Sequence, residues 1–316
     1  MTAAKHKDVR AGQPLRVALH ARDVRFDWTG LPLHWIPDEP FASHLFNVLH
    51  ILLPEGERFF VKAFAEALPM IKDDQLREDV LGFIGQEGMH AATHQGVQDY
   101  FAQQGLDTSG YVAELEHLFR RLLGDRGLEG RKKEEWLVER LALVAAVEHI
   151  TAFLGNWILN SPALDAAGAD PRILDLLRWH GAEEVEHRAV AYDVYMHVDG
   201  RYGRRARTYA VAATVIIWLW IRGVRHLMAH DPTLDPRRKA RWRDLVRTAR
   251  MGLSPSYLDI VGCGWRYLRP SYHPSQEGST DQAVAYLAMS PAALAADGLS
   301  AGSTVGPAVG PAADSR

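Results

Sequence analysis

Residues 179–187, WHGAEEVEH, form the densest cluster of ionisable side chains in the chain. It lies inside a predicted helix that opens at Asp170 and Pro171, a pair typical of a helix start, and that ends before Gly200. Apolar residues recur along this helix every three or four positions, and Glu184 and His187 fall within that stripe. A glutamate and a histidine three residues apart can hold a metal ion from one side of a helix.

The same Glu-x-x-His pattern occurs a second time, at Glu87 and His90, inside a helix predicted over residues 73–104. Each pattern follows a helix with a single inward glutamate. Glu57 precedes Glu87 by 30 residues, and Glu148 precedes Glu184 by 36 residues. Separations of this size match one long helix plus a turn, which returns the chain antiparallel beside its start.

Four such helices would bring four carboxylates and two imidazoles to the middle of a bundle. Unpaired carboxylates are costly in a low-dielectric core, and two divalent cations would neutralise them. Mixed oxygen and imidazole ligation suits iron or manganese, and zinc less specifically. The sequence therefore predicts an all-α protein, a four-helix bundle with additional C-terminal helices, that holds a dinuclear metal site.

Several neighbouring residues are alternative candidates for the metal ligands. His94 lies one turn beyond His90, and we expect it to support a ligand or line a pocket rather than bind metal. Glu183 competes with Glu184, at a spacing of four from the histidine, and Glu55 competes with Glu57. The residues expected to face away from the site are His149 and Glu186. The aromatic residues expected to pack in the core are Phe83, Trp157, Trp179 and Tyr192.

Composition excludes several classes of protein. The chain has 316 residues and a formal net charge of −3, which argues against a protein that grips nucleic-acid backbone. Its one cysteine, Cys263, excludes an intrachain disulfide and a cysteine-based metal cluster. Residues 1–25 are polar and lack the apolar run of a signal peptide. We therefore expect a cytoplasmic protein, with membrane association left open.

The rest of the chain is predicted as follows. Residues 1–40 form an extended arm, 41–200 the bundle, 201–290 additional helices and 291–316 a disordered tail. Within these regions we expect a helix interrupted at Pro54 (41–53 and 55–68), helices at 110–123 and 132–160, and a basic helix at 236–251. The apolar run 209–221 is shorter than the roughly 20 residues that span a bilayer. We expect it to pack on the bundle; a homodimer contact or a peripheral lipid contact would also explain it.

These patterns resemble the ferritin-like di-iron carboxylate superfamily over residues 41–198. The segments PEGERFF (54–60) and WHxxEExEH (179–187) resemble a bacterial family labelled predicted metal-dependent hydrolase. The arrangement His180-x-x-x-Glu184-x-x-His187 is similar to that of the p-aminobenzoate N-oxygenase family, whose site carries an additional histidine at this place. The resemblance implies that His180 is a third imidazole ligand. The predicted metal ligands are Glu57, Glu87, His90, Glu148, His180, Glu184 and His187.

The resemblance implies an O2-activating di-iron oxygenase that acts on a small organic or lipid-like substrate. Its cofactor would be two iron ions, or else manganese or a mixed iron–manganese pair, and no catalytic residue beyond the metal ligands is assigned. Because no nucleotide or flavin motif is present, an external electron donor is expected. The second candidate function is that of a dinuclear metal-dependent hydrolase. Iron storage is not expected, because the chain carries long additional C-terminal helices.

Overall fold

The computed structural model describes residues 17–303 of the chain, with side chains through residue 298. Within that range the backbone forms helices joined by turns and irregular segments, without a β-strand. The all-α class predicted from the sequence is confirmed. The first part of the predicted arm (1–16) and the last part of the predicted tail (304–316) lie outside the described residues.

Helices α2, α3, α5 and α7 surround the centre of the molecule: α2 packs along α3, α5 packs along α7, and the two pairs contact each other. The helices in chain order are α1 (Pro40–Asn47), α2 (Leu49–Ala67), α3 (Asp74–Gln103), α4 (Ser109–Glu116), α5 (Gly130–Leu159), α6 (Pro162–Ala166), α7 (Pro171–His187), α8 (Val190–Val198), α9 (Tyr202–His230), α10 (Trp242–Arg250), α11 (Tyr257–Tyr267), α12 (Thr280–Leu287) and α13 (Pro291–Ser303). A π-helical turn (His117–Leu122) continues α4.

The two longest predicted bundle helices agree closely with α3 and α5. The side chain of Asp73 caps α3 by accepting a hydrogen bond from the Leu76 amide at 2.8 Å. Gly105, with φ +80°, follows the end of the same helix. Helix α5 begins at Gly130, within two residues of the predicted start. The ends of α3 follow the sequence because capping residues mark them, whereas the start of α5 has no side-chain cap.

Two predicted helices differ from the structure. The break near the N-terminus lies at Val48 rather than at Pro54, which sits inside α2 and removes only the hydrogen bond to the carbonyl of His50. The helix predicted to run from Pro171 to residue 199 ends at His187, and α8 follows after two residues. The buried guanidinium of Arg188 donates to the Val185 carbonyl, which a continuing helix would have used for its own ladder.

The C-terminal third contains more helix than the sequence indicates. The apolar run 209–221 is the middle of the longer α9, and the basic helix predicted at 236–251 shortens to α10. Residues 291–303, predicted as disordered, form α13 instead. Its alanines Ala292, Ala293 and Ala296 are buried, and Asp175 accepts a hydrogen bond from the Ala292 amide at 3.1 Å. Small apolar side chains are enough to hold this helix in place because it packs on α7.

Helix α9 is the one described helix that is long and apolar enough to cross a membrane, and a third of its apolar window is buried against the protein. Its outward side chains include Val211, Ile217, Trp218 and Ile221, each about half exposed. Its inner face packs on α5 and α1. Core helices of proteins that cross no membrane can be equally long and apolar, so these two properties do not establish that α9 spans a membrane.

The described part of the N-terminal arm crosses α3 where that helix is rich in glycine. A Cβ atom on Gly82 would lie 2.5 Å from the Leu19 side chain, and one on Gly85 would lie 3.2 Å from Ala21. Gly88 faces open space. Two of the three glycines therefore leave room for the arm rather than for a ligand.

Helices α5 and α7 touch backbone to backbone at Gly155 and Gly181. A Cβ atom on Gly155 would lie 2.6 Å from the Gly181 carbonyl oxygen, and one on Gly181 would lie 2.8 Å from the Gly155 Cα. Both atoms belong to rigid helical backbone, so neither can move without separating the helices. This contact sets the spacing between the two helices that carry Glu148 and Glu184.

Replacing Gly155 with alanine is therefore expected to lower the free energy of unfolding by about 1–3 kcal/mol, the usual cost of overpacking a core. The matched control is Gly88→Ala, which also lies within a helix but has no atom in its way. There alanine should stabilise by up to about 1 kcal/mol through helix propensity. Urea unfolding of the two variants measures both effects. Equal stability of G155A and the wild type would show that this contact does not fix the helix spacing.

Candidate metal centre

The structure brings all seven predicted ligands together in the core between α2, α3, α5 and α7. Their side chains are almost completely buried, with the largest residue exposure 6% at His180. Potential ligand atoms of these residues form three groups that share members, and within each group the atoms lie no more than 4.8 Å from one another. The groups are Glu57, His90 and His180; Glu87, His90 and Glu184; and Glu87, Glu148 and His187.

Distances show that the two Glu-x-x-His pairs share one site. His187 Nε2 lies 3.2 Å from a Glu87 oxygen, 3.3 Å from a Glu148 oxygen and 3.5 Å from a Glu184 oxygen. From the other pair, His90 Nδ1 lies 3.6 Å from a Glu87 oxygen and 3.7 Å from a Glu184 oxygen. Glu87 and Glu184 therefore lie between the two imidazoles.

The remaining two predicted ligands complete one side of the cluster. His180 Nε2 lies 2.8 Å from a Glu184 oxygen and 3.7 Å from a Glu57 oxygen. His180 and Glu184 are the two members of the cluster that retain the most solvent exposure, at 6% and 3%. The cluster thus approaches the surface on the side of α7.

Many of these atoms have no hydrogen-bond partner among the described residues. They include both oxygens of Glu57, Glu87 and Glu148, as well as His90 Nδ1 and His187 Nε2. Buried carboxylate oxygens without partners are strongly unfavourable. The donor set, carboxylate oxygen and imidazole nitrogen converging in a buried core, fits divalent metal ions that would satisfy these atoms.

Electrostatics within the protein-only cluster support the same conclusion. Burial raises the pKa of Glu87 and of Glu148 to about 8, and the nearby charge of Glu184 adds to both effects. Burial and the charge of Glu87 raise the pKa of Glu57 well above its ordinary value. Protons therefore occupy part of this cluster near neutral pH, and cations could displace them.

In Glu184 and His187 the pKa shifts favour the charged forms, because the two side chains pair with each other. Burial opposes ionisation of Glu184, yet the charges of His187 and His180 hold its pKa well below the usual range. Burial likewise opposes protonation of His187, but Glu184 and Glu148 raise its pKa well above the ordinary value. The protein alone can therefore balance one carboxylate of the cluster with one imidazolium.

Two of the imidazoles are held by partners outside the cluster. His90 Nε2 lies 2.9 Å from Glu183, which leaves Nδ1 directed at Glu87 and Glu184. His187 Nδ1 lies 3.1 Å from the Gln86 side-chain oxygen, which leaves Nε2 free. Metal-binding histidines usually donate their second N–H in this way, which fixes both ring orientation and tautomer.

Glu183 occupies a supporting position rather than the ligand position of Glu184. Its other oxygen accepts from Arg22 at 2.5 Å, and Arg22 also donates to Glu186 at 3.0 Å. Burial opposes ionisation of Glu183, but His90 and Arg22 lower its pKa. Arg22 belongs to the arm, and nothing in the pattern of the arm indicates that it reaches the site.

Glu55, the competitor of Glu57, points away from the cluster. Its carboxylate binds Arg120 and Arg58, each at 2.7 Å. As expected, His149 and Glu186 also lie outside the cluster, and His149 Nδ1 lies 2.6 Å from the Tyr272 hydroxyl. None of these three residues therefore offers a ligand atom to the core site.

Two of the four aromatic residues expected in the core border the site. Phe83 lies against His187 with 4.9 Å between ring centroids, and Trp179 lies against His90 at 5.1 Å. The other two pack elsewhere, Trp157 on Phe46 and Tyr192 on Tyr272.

A second group of possible ligand atoms lies elsewhere, at His34, His44 and Asp231. Both imidazole Nε2 atoms contact the same Asp231 oxygen, at 2.6 and 2.7 Å. Asn47 donates to His44 Nδ1 at 3.3 Å, and its amide orientation is fixed because Trp35 donates to its oxygen. His44 therefore carries its proton on Nε2 and donates to the carboxylate. The contacting atoms of this cluster therefore have hydrogen-bond partners, whereas both oxygens of Glu57, Glu87 and Glu148 in the core site have none among the described residues.

Asp231 follows the C-terminal end of α9 and ties it to α1 through the buried His44. Burial opposes ionisation of Asp231, but hydrogen bonds from His34, His44 and Thr233 hold its pKa well below the usual range. Replacing Asp231 with alanine would leave the His44 N–H without an acceptor in the core. We expect the free energy of unfolding to fall by about 2–3 kcal/mol, measured by urea denaturation. Asp235→Ala, in the exposed turn nearby, should change it by less than about 0.5 kcal/mol. Equal effects of the two substitutions would contradict this role.

Comparison with known proteins gives one family. A family model described as "Predicted metal-dependent hydrolase" matches residues 20–278, most of the chain. The chain belongs to this family. No curated protein and no solved structure matches it. The family match covers every residue of the cluster and also Arg22, and it confirms the predicted resemblance to the metal-dependent hydrolase family. The resemblance to the p-aminobenzoate N-oxygenase family stays a prediction.

Proposed function

We propose that this member of the predicted metal-dependent hydrolase family binds two divalent metal ions in the core cluster and acts as a metal-dependent hydrolase. The observation that carries the proposal is the convergence of four buried carboxylates and three imidazoles, most of whose facing atoms have no other partner. One ion would be held by the group Glu57, His90 and His180, the other by the group Glu87, Glu148 and His187. Glu184 lies between the two groups.

Two metal ions held there would supply a water of lowered pKa and would polarise a substrate oxygen. The protein residues around them orient and protect the site. Glu183 holds the His90 ring through Nε2, and Gln86 holds the His187 ring through Nδ1. Phe83 and Trp179 cover the imidazoles and exclude bulk water. We infer that substrate approaches from the side of His180 and Glu184, where the cluster retains exposure.

A di-iron oxygenase is the second candidate, because the donor set of the cluster also suits iron. Three nitrogen donors and four carboxylates in a closed helical core match the ligand preferences of iron as well as those of zinc or manganese. Such an enzyme would need an external electron donor, because the sequence carries no nucleotide or flavin motif.

One experiment separates the two candidates. Metal-free protein is loaded with Zn2+, Mn2+ or Fe2+ and assayed with panels of esters, amides and phosphoesters, with and without oxygen and a reductant. We expect turnover with a redox-inert metal in the absence of oxygen and reductant. Glu148→Gln should abolish this turnover, and Glu139→Gln should keep it. Turnover of an organic substrate that requires iron, oxygen and reductant would replace the hydrolase with the oxygenase.

A further inference from the structure

A line of three imidazoles runs outward from the core cluster. His180 Nδ1 lies 2.5 Å from His94 Nε2, and His94 Nδ1 lies 2.7 Å from His50 Nδ1. His50 and His94 are completely buried. His50 lies on α2 and His94 on α3, so the line connects three of the helices that carry the cluster. Nothing in the proposed function assigns a role to either of these two residues.

The contacts give the line a direction once His180 Nε2 faces a metal ion. Ligation uses the lone pair of Nε2, so the His180 proton must sit on Nδ1 and be donated to His94 Nε2. His94 then carries its own proton on Nδ1 and donates it to His50 Nδ1. Three adjacent buried rings cannot all be cationic, because each would be desolvated beside a like charge. One proton per ring and one direction of donation satisfy every contact between them.

The outer end of the line is unusual. In this arrangement the His50 proton sits on Nε2, and that atom is buried without a hydrogen-bond partner among the described residues. A polar atom left in this way costs free energy, so packing alone would favour an apolar residue at this place. Within the described part of the chain, the one polar contact of the His50 ring is made through Nδ1, the atom that accepts from His94.

The three imidazoles of the cluster also differ in how they are held. A carboxylate holds His90 and an amide holds His187. His180 is held by a neutral ring, whose own tautomer must be set by a further partner. The orientation of His180 therefore depends on two residues in series, unlike that of the other two histidines.

We propose that His94 and His50 are positioning residues that fix His180 as an Nε2 donor, and that they thereby set the metal affinity of the Glu57–His90–His180 group. This inference rests on the proposed metal centre. Loss of a supporting partner of a metal-binding histidine weakens metal affinity by about 10- to 100-fold. The effect should fall on one of the two ions, because neither residue contacts the Glu87–Glu148–His187 group.

The test is a Co2+ titration of the metal-free protein, followed by visible absorption. The wild type should bind two Co2+ ions. His94→Leu removes both hydrogen bonds, and one of the two ions should bind about 10- to 100-fold more weakly. His94→Gln can accept from His180 and donate to His50, so it should restore both affinities to within about threefold of the wild type. Phe101→Leu, which changes the packing against the His50 ring, is the control and should leave both affinities unchanged.

A purely structural role would not produce rescue by glutamine or a loss confined to one ion. If His94→Leu does not fold, His50→Phe removes only the outer contact and should weaken the same ion by about three- to tenfold, below the loss from a direct partner. Two ions bound by His94→Leu and His50→Phe with wild-type affinity would overturn this inference and leave the metal centre intact. No Co2+ bound by the wild type would overturn the metal centre and, with it, this inference.

Discussion

Glu148→Gln is expected to reduce the metal content of the purified protein from about two ions per chain to one or none. Glu148 shares its group with Glu87 and His187, and one of its oxygens lies 3.3 Å from His187 Nε2. An amide of the same shape replaces a negatively charged oxygen with a neutral group, and part of the site would then present N–H donors to a cation. Metal analysis of protein from metal-supplemented cells measures the loss.

The same substitution should not lower the stability of the metal-free protein. Because burial raises the pKa of Glu148, its carboxylate is unfavourable in the folded state without a cation. A neutral amide removes that cost, so metal-free Glu148→Gln should be at least as stable as the metal-free wild type at pH 8. Loss of binding together with unchanged or higher stability identifies a functional carboxylate rather than a structural one.

Glu139→Gln is the matched control, since Glu139 lies on the same helix and pairs with Arg204 and Arg207 near the surface. It should keep full metal content, because it is far from the cluster along α5. Unchanged metal content in Glu148→Gln would remove this residue from the ligand set. A loss that appeared equally in Glu139→Gln would point to a general effect on α5.

The second large effect is on stability as a function of pH. The metal-free protein should lose stability as the pH rises from about 6 to 9. The pKa of Glu87 and of Glu148 is about 8 in the folded protein, against 4.5 for an ordinary glutamate. A raised carboxyl pKa contributes stability that is complete below the unfolded value and is lost as the pH rises through the folded value. The raised pKa of His187 acts with the same sign.

The size of the effect follows from the linkage relation. Between the unfolded pKa of 4.5 and the folded pKa of about 8, two independent carboxyls would together cost about 2.7 kcal/mol per pH unit. Coupling between them reduces this, and a total loss of about 3 kcal/mol would lower the Tm of a 316-residue chain by roughly 4–5 °C. Metal ions require deprotonated ligands, so the stabilisation they give should increase over the same range.

Thermal unfolding of chelator-treated and Co2+-loaded protein at pH 6, 7.5 and 9 measures both trends. The difference in Tm between the two forms should be largest at pH 9. Metal-free Glu148→Gln should show a flatter pH profile, because one titrating carboxyl is gone. A metal-free Tm that stays constant or rises with pH would contradict the assignment of protonated carboxyls to the core.

Sequence reasoning located the site because its residues follow helical periodicity. Glu57, Glu87, Glu148 and Glu184 interrupt apolar stripes on long helices, and the structure buries all four in one place. Periodicity predicts which face of a helix is inside, and the bundle arrangement then brings those faces together. The long helices α3 and α5 were predicted for the same reason, and Asp73 also marks the start of α3.

What the sequence did not indicate depends on contacts between distant segments. Arg22 reaches Glu183 across 161 positions from an arm without periodicity, so no local pattern could reveal it. The end of α7 at His187 depends on the Arg188 guanidinium, which also binds Pro274 and Thr280 from the C-terminal third. Helix α13 is stable through its packing on α7, whereas its glycines and its shortage of large apolar residues favour disorder in the sequence alone.

The proposed metal centre places two metal ions in the core between α2, α3, α5 and α7. X-ray diffraction from crystals of Mn2+- or Fe2+-loaded protein, measured on both sides of the metal absorption edge, would locate them. We expect two anomalous peaks in the core, one beside Glu57 and His180 and the other beside Glu148 and His187. An empty core, with anomalous signal only at His34, His44 and Asp231 or on the surface, would contradict this placement.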